Sequence, residues 1–486
     1  MIKRRIVVGL LLVCSIFVFA FGGVAAQDTV QSVCLITDIG RVNDGTFNEF
    51  AYDGMVRAVE EFGLESTFIE TQNVADYATN ISTCVEGDWN IIITVGFSLG
   101  DAAYASAVEN PDIFFIGIDQ DFSGVDPLPN LVGLQFREDQ AGFLAGAMAA
   151  LMSESDVVAG VYGLDIFPVI KFRNGFEQGA LYINPDISTL GVYIPDFQAP
   201  DRGQEAAAQF IGEGADVIFG AGGPTGSGGI AYAANQGVYV IGVDQDEYFT
   251  TFGGGESPGA ENLITSAIKR VDNGVYDMIA AVVEGDGFPS DSTYVLSLFN
   301  DGIDFAEAHD SDVSQEVIDL VSEIKVGLTD GSIVTGVHPI TGEMLDDIVT
   351  VADGAGSFTT LLAAAEAAGL AETLATGGPF TVFAPTDEAF AAALDALGMT
   401  AEEVLADTET LTSILLYHVV ENAVGAEVVV NLDGVSVPTL NGESVTISVT
   451  EDGVMVNDAN VILADVHASN GIIHVIDAVL IPMMGE

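Results

Sequence analysis

Basic residues are scarce in this chain. Its 486 residues include 12 Lys and Arg against 72 Asp and Glu, which gives a formal net charge of −60. A surface this acidic repels phosphate backbones and anionic membrane faces, so nucleic acid is excluded as a partner. The acidity fits solubility through self-repulsion or a saline environment. We favour the saline environment, because salt screens such a surface.

Hydrophobic runs that approach the length of a bilayer span are also rare, and one occurs, at the N-terminus. Residues 3–5 are basic, residues 6–21 are apolar and residues 24–26 are small. This order predicts a signal peptide over residues 1–26, and therefore export. An uncleaved signal anchor is the alternative, because the apolar run is nearly long enough to span a bilayer.

Cysteine is limited to three positions, of which Cys34 and Cys84 lie beyond the predicted signal peptide. Cys14 follows a valine, where a lipid-attachment motif has a small residue, so we expect no lipid anchor there. Export permits a disulfide. Cys34 lies on the first predicted strand and Cys84 on the helix before the third, which crosses over the first strand in a doubly wound sheet. The sequence leaves a Cys34–Cys84 disulfide and two buried thiols equally open.

The chain does contain a regular alternation of short apolar runs and helical stretches, from residue 32 to about 335. This alternation predicts an α/β fold with Rossmann-like sheets. The predicted strands are 33–37, 66–70, 91–95, 113–118, 157–162, 189–193, 217–219 and 238–243. The predicted helices are 48–62, 77–86, 101–109, 172–182, 204–213 and one that ends near residue 236.

An internal repeat indicates that this region has two lobes. Residues 115–121 (FIGIDQD) and 240–246 (VIGVDQD) are nearly identical, and each segment contains the end of a predicted strand. Ligands bind outside the carboxyl ends of parallel strands. We therefore expect a cleft between two similar α/β lobes, which close over a ligand by a hinge motion.

Five residues just past predicted strand ends are candidates to line this cleft: Asp38, Phe97, Asp119, Gly222 and Asp244. The alternative for the aspartates is to cap the next helix, a common role for Asp at such a position. Their matching positions in the two lobes favour a ligand site.

Phe47 and the retained cations are further candidates. Phe47 lies where a helix begins, and core packing or a hydrophobic staple is its alternative role. Lys269 can donate to ligand hydroxyls, or it can form a salt bridge with Asp272 or another carboxylate. For Lys171 and Arg173, which flank Phe172, we favour salt bridges.

Motifs of enzymes and metal centres are missing. The five histidines lie away from the cleft candidates, and there is no G-x-S-x-G motif, H-E-x-x-H motif or Cys/His cluster. The glycine-rich run at residues 222–226 lacks the Lys-Ser/Thr pair of a phosphate-binding loop. We expect no enzyme activity, no cofactor and no metal site.

Residues 32–335 resemble the basic membrane protein (BMP) family, the purine-nucleoside-binding lipoproteins of ABC importers. The matching segments are TDIG (37–40), NDGTFN (43–48), FLAGA (143–147), DIFPVIKFRNG (165–175), ADVIF (215–219), GVD (242–244) and SAIKRVD (266–272). The resemblance implies a type I periplasmic-binding-protein fold that delivers a nucleoside to an ABC permease. Riboflavin is an alternative ligand. Because the lipid-attachment motif is missing, the membrane tethering usual in the family is not expected.

The resemblance also implies roles for single residues. Asp38 and Asp119 would hold the base or the ribose, and Phe47 would stack on the base with Asn48 beside it. The ribose hydroxyls would be bound by Asp244, Lys269 and the backbone near Gly222. A second stacking aromatic is expected among Phe97, Phe172, Phe197 and Phe219.

The character of the chain changes after a short linker at residues 336–344. Residues 345–486 contain no Lys or Arg. We expect a helix over residues 361–374 and strands over residues 444–449, 454–457 and 472–481. A stretch of this length is of ordinary domain size.

This C-terminal segment resembles a fasciclin domain. Residues 378–387 (GPFTVFAPTD) with Phe390 are similar to its first box, Tyr417-His418 to its central pair, and residues 470–477 (NGIIHVID) to its second box. The resemblance implies an extracellular interaction module with a cell-surface or matrix partner. We expect His418 to be a hydrogen-bonded core residue.

The sequence thus predicts an exported solute receptor, located at the cell surface, in the periplasm or outside the cell. Its domains would be the solute-binding region over residues 27–335 and the fasciclin-like region over residues 345–486. A surface adhesion or sensor protein is the alternative. An enzyme acting on nucleosides is disfavoured by the placement of the histidines.

Overall fold

A computed structural model describes residues 30–398, 400–450 and 453–483. The predicted signal peptide and Cys14 lie outside these residues. None of the helices within the described ranges combines the length and the apolar character needed to cross a bilayer.

The described residues form strands and helices that alternate for most of the chain. The strands are β1 (Ser32–Ile36), β2 (Glu65–Ile69), β3 (Ile91–Val95), β4 (Phe114–Ile118), β5 (Leu131–Phe136), β6 (Val157–Tyr162), β7 (Ser188–Tyr193), β8 (Val217–Ala221), β9 (Tyr239–Asp244), β10 (Leu263–Lys269), β11 (Thr293–Leu296), β12 (Ile303–Phe305), β13 (Phe380–Pro385), β14 (Val419–Glu421), β15 (Ser436–Pro438), β16 (Ser444–Thr450), β17 (Gly453–Val456), β18 (Ala459–Ala468) and β19 (Gly471–Ile476).

The helices are α1 (Phe47–Phe62), α2 (Tyr77–Glu86), α3 (Gly100–Glu109), α4 (Glu138–Met152), α5 (Phe167–Ile183), α6 (Pro200–Gly212), α7 (Pro224–Asn235), α8 (Val271–Glu284), α9 (Gln315–Asp330), α10 (Ile348–Ala355), α11 (Thr359–Ala367), α12 (Ala371–Thr376), α13 (Asp387–Leu397), α14 (Ala401–Ala406), α15 (Thr408–Tyr417) and α16 (Ala426–Val429).

The first two sheets confirm the prediction of two α/β lobes. Their strand orders are β11-β5-β4-β3-β1-β2 and β12-β10-β9-β8-β6-β7. Every strand pair within these two sheets is parallel except β10 with β12. Central strands such as β3 are buried along their whole length, because helices cover both faces of a parallel sheet.

The chain passes between the lobes three times, after β5, after β10 and after β11. Three segments therefore connect the lobes, and the carboxyl ends of the two sheets face each other. This arrangement allows the lobes to open and close around a ligand without unfolding either sheet.

Helices α4 and α5 are packed backbone to backbone by glycines. A Cβ at Gly146 would lie 1.9 Å from the carbonyl oxygen of Phe176, and a Cβ at Gly179 would lie 2.0 Å from that of Phe143. A side chain at either glycine would push the helices apart. The close approach matters for the cleft, because α4 begins at Glu138 and α5 carries Lys171.

Several helices begin earlier than the sequence pattern indicated. Helix α5 begins at Phe167 rather than 172, and α6 at Pro200 rather than 204. Each has a proline in its first turn, where the missing N–H costs no hydrogen bond.

Cys34 and Cys84 are joined in a disulfide that ties β1 to α2. Both side chains are fully buried. Of the two open alternatives, the structure therefore contains the bridge.

The C-terminal region forms a third sheet, in the order β14-β13-β19-β18-β17-β16-β15, packed against α10 to α15. The expected helix over residues 361–374 is wrong, because Gly369 adopts a left-handed φ of 69° between α11 and α12. The expected strand over residues 472–481 is too long, since β19 ends at Ile476.

His418 lies in the core of this region, as expected. Its Nδ1 lies 2.8 Å from the carbonyl oxygen of Ile414, and its Nε2 accepts the N–H of Leu480 at 2.9 Å. Burial lowers the pKa of His418 to about 4, so the ring is neutral at physiological pH. This is the environment of a structural histidine.

Candidate ligand-binding cleft between the lobes

The carboxyl ends of the two sheets face each other across a narrow pocket. The pocket encloses about 80 Å³, which is small beside the roughly 300–1,000 Å³ of typical small-molecule sites. Gln245 Nε2 of the second lobe donates to the carbonyl oxygen of Thr46 in the first at 2.7 Å, so the lobes lie close together. All nine predicted ligand-binding residues line this pocket: Asp38, Phe47, Asn48, Phe97, Asp119, Phe172, Gly222, Asp244 and Lys269.

Asp38 and Asn48 are part of the wall that the first lobe contributes to the pocket. Asn48 Nδ2 donates to Asp38 Oδ1 at 2.9 Å and to Asp44 Oδ2 at 2.8 Å. Asp44 also accepts the backbone N–H groups of Thr46 and Glu49, which fixes the start of α1. The buried Oδ1 of Asn48 has no partner in the described chain, so it can accept a hydrogen bond from a ligand.

The Asp38 carboxyl is poorly solvated. Burial raises its pKa to about 6, against the lowering effect of the Asn48 hydrogen bond, and the nearby Asp44 and Asp119 add to the rise. Asp38 is therefore partly protonated near neutral pH. It can accept a hydrogen bond from a ligand or, when protonated, donate one.

Asp119 and Asp244 hold equivalent positions in the two lobes. Both have left-handed backbone conformations, with φ values of 59° and 65°, which Asp tolerates better than most residues. The helices that follow Asp38, Asp119 and Asp244 have Thr46, Arg137 and Phe252 as N-cap residues, so the capping alternative is wrong for the three aspartates. The internal repeat thus corresponds to a repeated turn that directs a carboxyl group into the pocket.

A chain of buried charges links Asp119 to the second lobe. Lys269 Nζ lies 2.7 Å and 2.8 Å from the two carboxylate oxygens of Asp119 and 2.8 Å from Glu138 Oε1. The other oxygen of Glu138 lies 2.6 Å from Lys171 Nζ, which also donates to the carbonyl oxygen of Phe136. Glu138, Lys171 and Lys269 are each at most 2% exposed.

These contacts decide the alternatives for the cations. Lys269 forms the salt bridge that was its alternative role, with Asp119 and Glu138 and not with Asp272. Asp272 instead accepts hydrogen bonds from Nε and Nη2 of the neighbouring Arg270, each at 2.8 Å. Lys171 forms the expected salt bridge, and Arg173 pairs with Glu177 at 2.9 Å.

Asp244 remains open to a ligand. Its carboxyl group accepts no hydrogen bond from the residues that the structure describes. Burial raises its pKa to about 7, an effect that Lys269 opposes and that Asp119 and Glu138 reinforce. Burial alone would lower the pKa of Lys269, but the surrounding carboxylates outweigh burial and raise that pKa above its usual range.

Aromatic rings form much of the remaining wall. The Phe47 ring centroid lies 5.0 Å from Lys269 Nζ. Phe97 is 43% exposed at the rim, and Phe172 is buried. Phe197, which sequence reasoning left among several candidates, also lines the pocket. Phe219 does not line it, since it stacks on Phe176 in the core, with 5.2 Å between ring centroids.

Gly222 brings two loops of the second lobe into contact. A Cβ at this position would lie 2.5 Å from the backbone nitrogen of Gly163. A larger residue would therefore separate the loops that form the floor of the pocket.

Sequence reasoning missed Asp44, which lines the cleft, and two residues outside the lining. These are Glu138, which contacts Lys269, and Gln245, which bonds across the lobes. Glu138 directly follows Arg137 at the end of β5, and an acidic residue after a strand is the signal that could have identified it. No group of three or more His, Cys, Asp or Glu within the described ranges is placed to hold a metal ion.

Two lobes with a cleft at the carboxyl ends of their sheets define a solute-binding protein. A solved ABC transporter solute-binding protein from Aeropyrum pernix shares the fold with a TM-score of 0.54 at 25% identity, covering 63% of this chain and 92% of the other. A second, from Conexibacter woesei, has a TM-score of 0.52 at 21% identity, with 64% and 99% covered.

The family follows from the sequence. The model of the Bmp family, described as ABC transporter substrate-binding protein PnrA-like, matches residues 31–335, and the chain belongs to this family. The fasciclin domain model matches residues 356–482, so the chain also contains a fasciclin domain.

Similar proteins are found in several bacteria. A CD4+ T-cell-stimulating antigen of Listeria monocytogenes is 31% identical over 62% of this chain and 87% of that protein. The ABC transporter nucleoside-binding protein BmpA of Lactococcus lactis is 28% identical over 68% and 98%. Basic membrane protein A of Borreliella burgdorferi is 32% identical over 55% and 77%.

The family assigns a small-molecule ligand and an ABC permease as partners. Substrate-binding proteins of this class work outside the cytoplasm. They bind a solute and pass it on, and they do not convert it chemically.

Proposed function

We propose that the cleft binds a purine nucleoside and that Asp38, Phe47, Asn48, Asp119, Asp244 and Lys269 contact it. The observation that carries the proposal is the open carboxyl group of Asp244 in a pocket walled by phenylalanines. A carboxylate without an internal partner is a strong acceptor for paired ribose hydroxyls. The name of the Lactococcus lactis relative supports the same ligand class.

The charge of the cleft favours a neutral ligand over a phosphorylated one. Four carboxyl groups line it, those of Asp38, Asp44, Asp119 and Asp244, against a single cation, Lys269. Lys269 is already paired with Asp119 and Glu138. A nucleotide would bring a phosphate among these carboxylates, and like charges in a poorly solvated site repel strongly.

The aromatic residues supply a surface for the base. A flat purine ring stacks on phenylalanine through its π face, whichever base it is. Phe47 from the first lobe and Phe172 or Phe197 from the second could enclose the ring from two sides once the lobes separate and close again. Phe97 at the rim is the remaining candidate for the second stacking residue.

Isothermal titration calorimetry tests the ligand class. We expect heat with inosine, guanosine or adenosine, little with the corresponding monophosphate, and much weaker binding of the free base. A site built for the ribose hydroxyls can discriminate by about 10⁴ against a ligand that lacks them. Binding of riboflavin without nucleosides would contradict the nucleoside proposal, and turnover of the ligand would contradict a binding function.

For the fasciclin domain we propose attachment to the cell surface or matrix. The domain matches the model of its family across residues 356–482 and is attached C-terminal to the solute-binding region. Cys14 is preceded by a valine, where a lipid-attachment motif has a small residue. The fasciclin domain would therefore hold the protein at the cell, as a lipid anchor does in other members of the family. We expect that deletion of residues 345–486 releases the protein from cells while nucleoside binding remains; unchanged cell association would contradict the role.

A further inference from the structure

Two buried residues outside the lining of the cleft support Lys269, the lysine of that lining. Glu138 contacts Lys269, and Lys171 in turn contacts Glu138. We infer that Glu138 and Lys171 are positioning residues, which hold Lys269 Nζ where it can meet a ribose hydroxyl. The inference rests on the proposed nucleoside function. It assigns to the first turn of α4 and to α5 a role in the choice of ligand.

The contacts of Lys269 Nζ determine which of them a ligand hydroxyl can replace. An ammonium group has three N–H donors, and in the structure three carboxylate oxygens lie within 2.8 Å of Nζ, two from Asp119 and one from Glu138. A ligand hydroxyl must therefore replace a contact with Asp119, the residue of the opposite lobe. The contact with Glu138 should remain when the lobes separate, because Glu138 and Lys269 are both buried and lie on elements of the second lobe, α4 and β10, which pack on each other.

The buried charges around Lys269 balance one another. Glu138 lies between two cations, with one oxygen 2.8 Å from Lys269 and the other 2.6 Å from Lys171. The four groups Asp119, Lys269, Glu138 and Lys171 sum to zero charge. If a ligand displaced Asp119, Glu138 would still keep Lys269 paired, and Lys171 would keep Glu138 in place. A buried carboxylate or ammonium alone would be costly.

Glu138 and Lys171 are held in place by the packing of α4 on α5. Glu138 is the first residue of α4, and Lys171 lies on α5, the helix that contacts α4 backbone to backbone. A Cβ at Gly175 would lie 2.2 Å from the carbonyl oxygen of Asp139, next to Glu138 in the chain. Lys171 Nζ also donates to the carbonyl oxygen of Phe136 at 2.7 Å. The pair therefore has little freedom to move, which is what a positioning role requires.

The test compares a ribonucleoside with its 2′,3′-dideoxy analogue by calorimetry. Glu138→Gln should lower the affinity for the ribonucleoside about tenfold or more, the effect of losing a hydrogen bond to a charged group. The dideoxy analogue cannot use Lys269, so its affinity should change by less than about threefold. The ratio of the two affinities, which a general loss of packing would leave unchanged, should fall about tenfold.

Two further variants complete the test. Glu138→Gln combined with Lys171→Met removes one negative and one positive charge, so the buried cluster around Lys269 stays neutral. This double variant should lower the ratio of ribonucleoside to dideoxynucleoside affinity, even if the single variant folds poorly. Glu177→Gln is the matched control, because Glu177 pairs with Arg173 on α5 and lies outside the cleft lining. The control should leave the ratio unchanged. Equal losses for both ligands in the Glu138 variants, or an unchanged ratio, would overturn the inference.

A measurement without ligand separates this inference from the proposed function. Beyond residue 26 the only lysines are Lys171, Lys269 and Lys325, so 15N-lysine labelling gives few signals. The Nζ signal of Lys269 should be sharp at neutral pH and should be lost or shifted in Glu138→Gln, while that of Lys325, paired with Asp304, stays. If no nucleoside binds the wild type, the proposed function fails. A Lys269 signal in Glu138→Gln that is as sharp as in the wild type and unshifted would overturn the positioning role as well.

Discussion

Lys269 Nζ, on the last residue of β10 in the second lobe, lies 2.7 Å from Oδ1 of Asp119 in the first lobe. Asp119 and Lys269 are 150 residues apart in the chain. This ion pair and the hydrogen bond from Gln245 to Thr46 join the lobes across the site at which we propose that the ligand binds. Ligand entry therefore requires these contacts between the lobes to break.

Asp119→Asn should favour the open form of the ligand-free protein. A hydrogen bond between charged groups contributes about 1.5–3 kcal/mol, enough to shift an open–closed equilibrium by about 10- to 100-fold. Small-angle X-ray scattering should show a larger radius of gyration for the variant than for the wild type. Asp112→Asn, at an exposed position, is the control. Identical scattering from Asp119→Asn and the wild type would show that the pair does not hold the lobes together.

Nucleoside affinity should depend on pH through Asp244. Its raised pKa of about 7 means that the carboxylate, the form that accepts ribose hydroxyls, is lost as the pH falls below 7. Affinity should then decline by up to about tenfold per pH unit. Calorimetry between pH 8 and 6 should find this slope in the wild type and a flat, weaker profile in Asp244→Asn. A wild-type affinity that stays constant over this range would contradict the role of Asp244.

Glu247 should make the ligand-free protein less stable as the pH rises. It is fully buried and accepts the N–H of Val243 at 3.1 Å, and burial raises its pKa to about 7. A carboxyl group with a raised pKa in the fold stabilises fully below its unfolded value, near 4.5, and this stability is lost as the pH rises through 7.

Glu247→Gln removes that titration. The unfolding free energy of the variant relative to the wild type should rise by about 2–3 kcal/mol between pH 5 and pH 8, as measured by urea denaturation. Comparing differences between the two pH values cancels any loss of hydrogen bonds that is common to both. A difference that does not change with pH would mean that Glu247 is ionised in the fold throughout.

The disulfide should be detectable and stabilising. In the unfolded protein without reductant, Cys34 and Cys84 should resist alkylation, and both should react after reduction. The two cysteines are 50 residues apart, so replacing both with alanine should lower the unfolding free energy by about 4 kcal/mol. Alkylation of both residues without reductant would show that the thiols are free.

Much of the fold could be predicted from the sequence, because buried parallel strands leave a clear apolar signature. Strand β3 was predicted with its observed bounds, Ile91–Val95. Strand β5 and helix α4 were missed, and α4 lacks a polar face beyond its first turn. Its residues 138–149 are buried throughout, so it lacks the 3.6-residue alternation on which helix prediction depends.

The residues around the cleft were easier to predict than their partners. Asp119 and Asp244 follow strands in a repeated motif, which places them at the sheet edges. The partner of Lys269 could not be predicted, because Asp119 and Glu138 approach it only through the packing of the two lobes. Sequence proximity instead suggested Asp272, whose nearest cation is its neighbour Arg270.

Nucleoside binding in the cleft should depend most strongly on Phe47 and Asp244. Calorimetric titration of guanosine into the wild type, Phe47→Ala and Asp244→Asn tests this dependence, with the exposed positions Phe68→Ala and Asp112→Asn as matched controls. Both cleft variants should remain folded and lose affinity by about tenfold or more, while the two controls bind like the wild type. Unchanged affinity in both Phe47→Ala and Asp244→Asn would contradict nucleoside binding at this site.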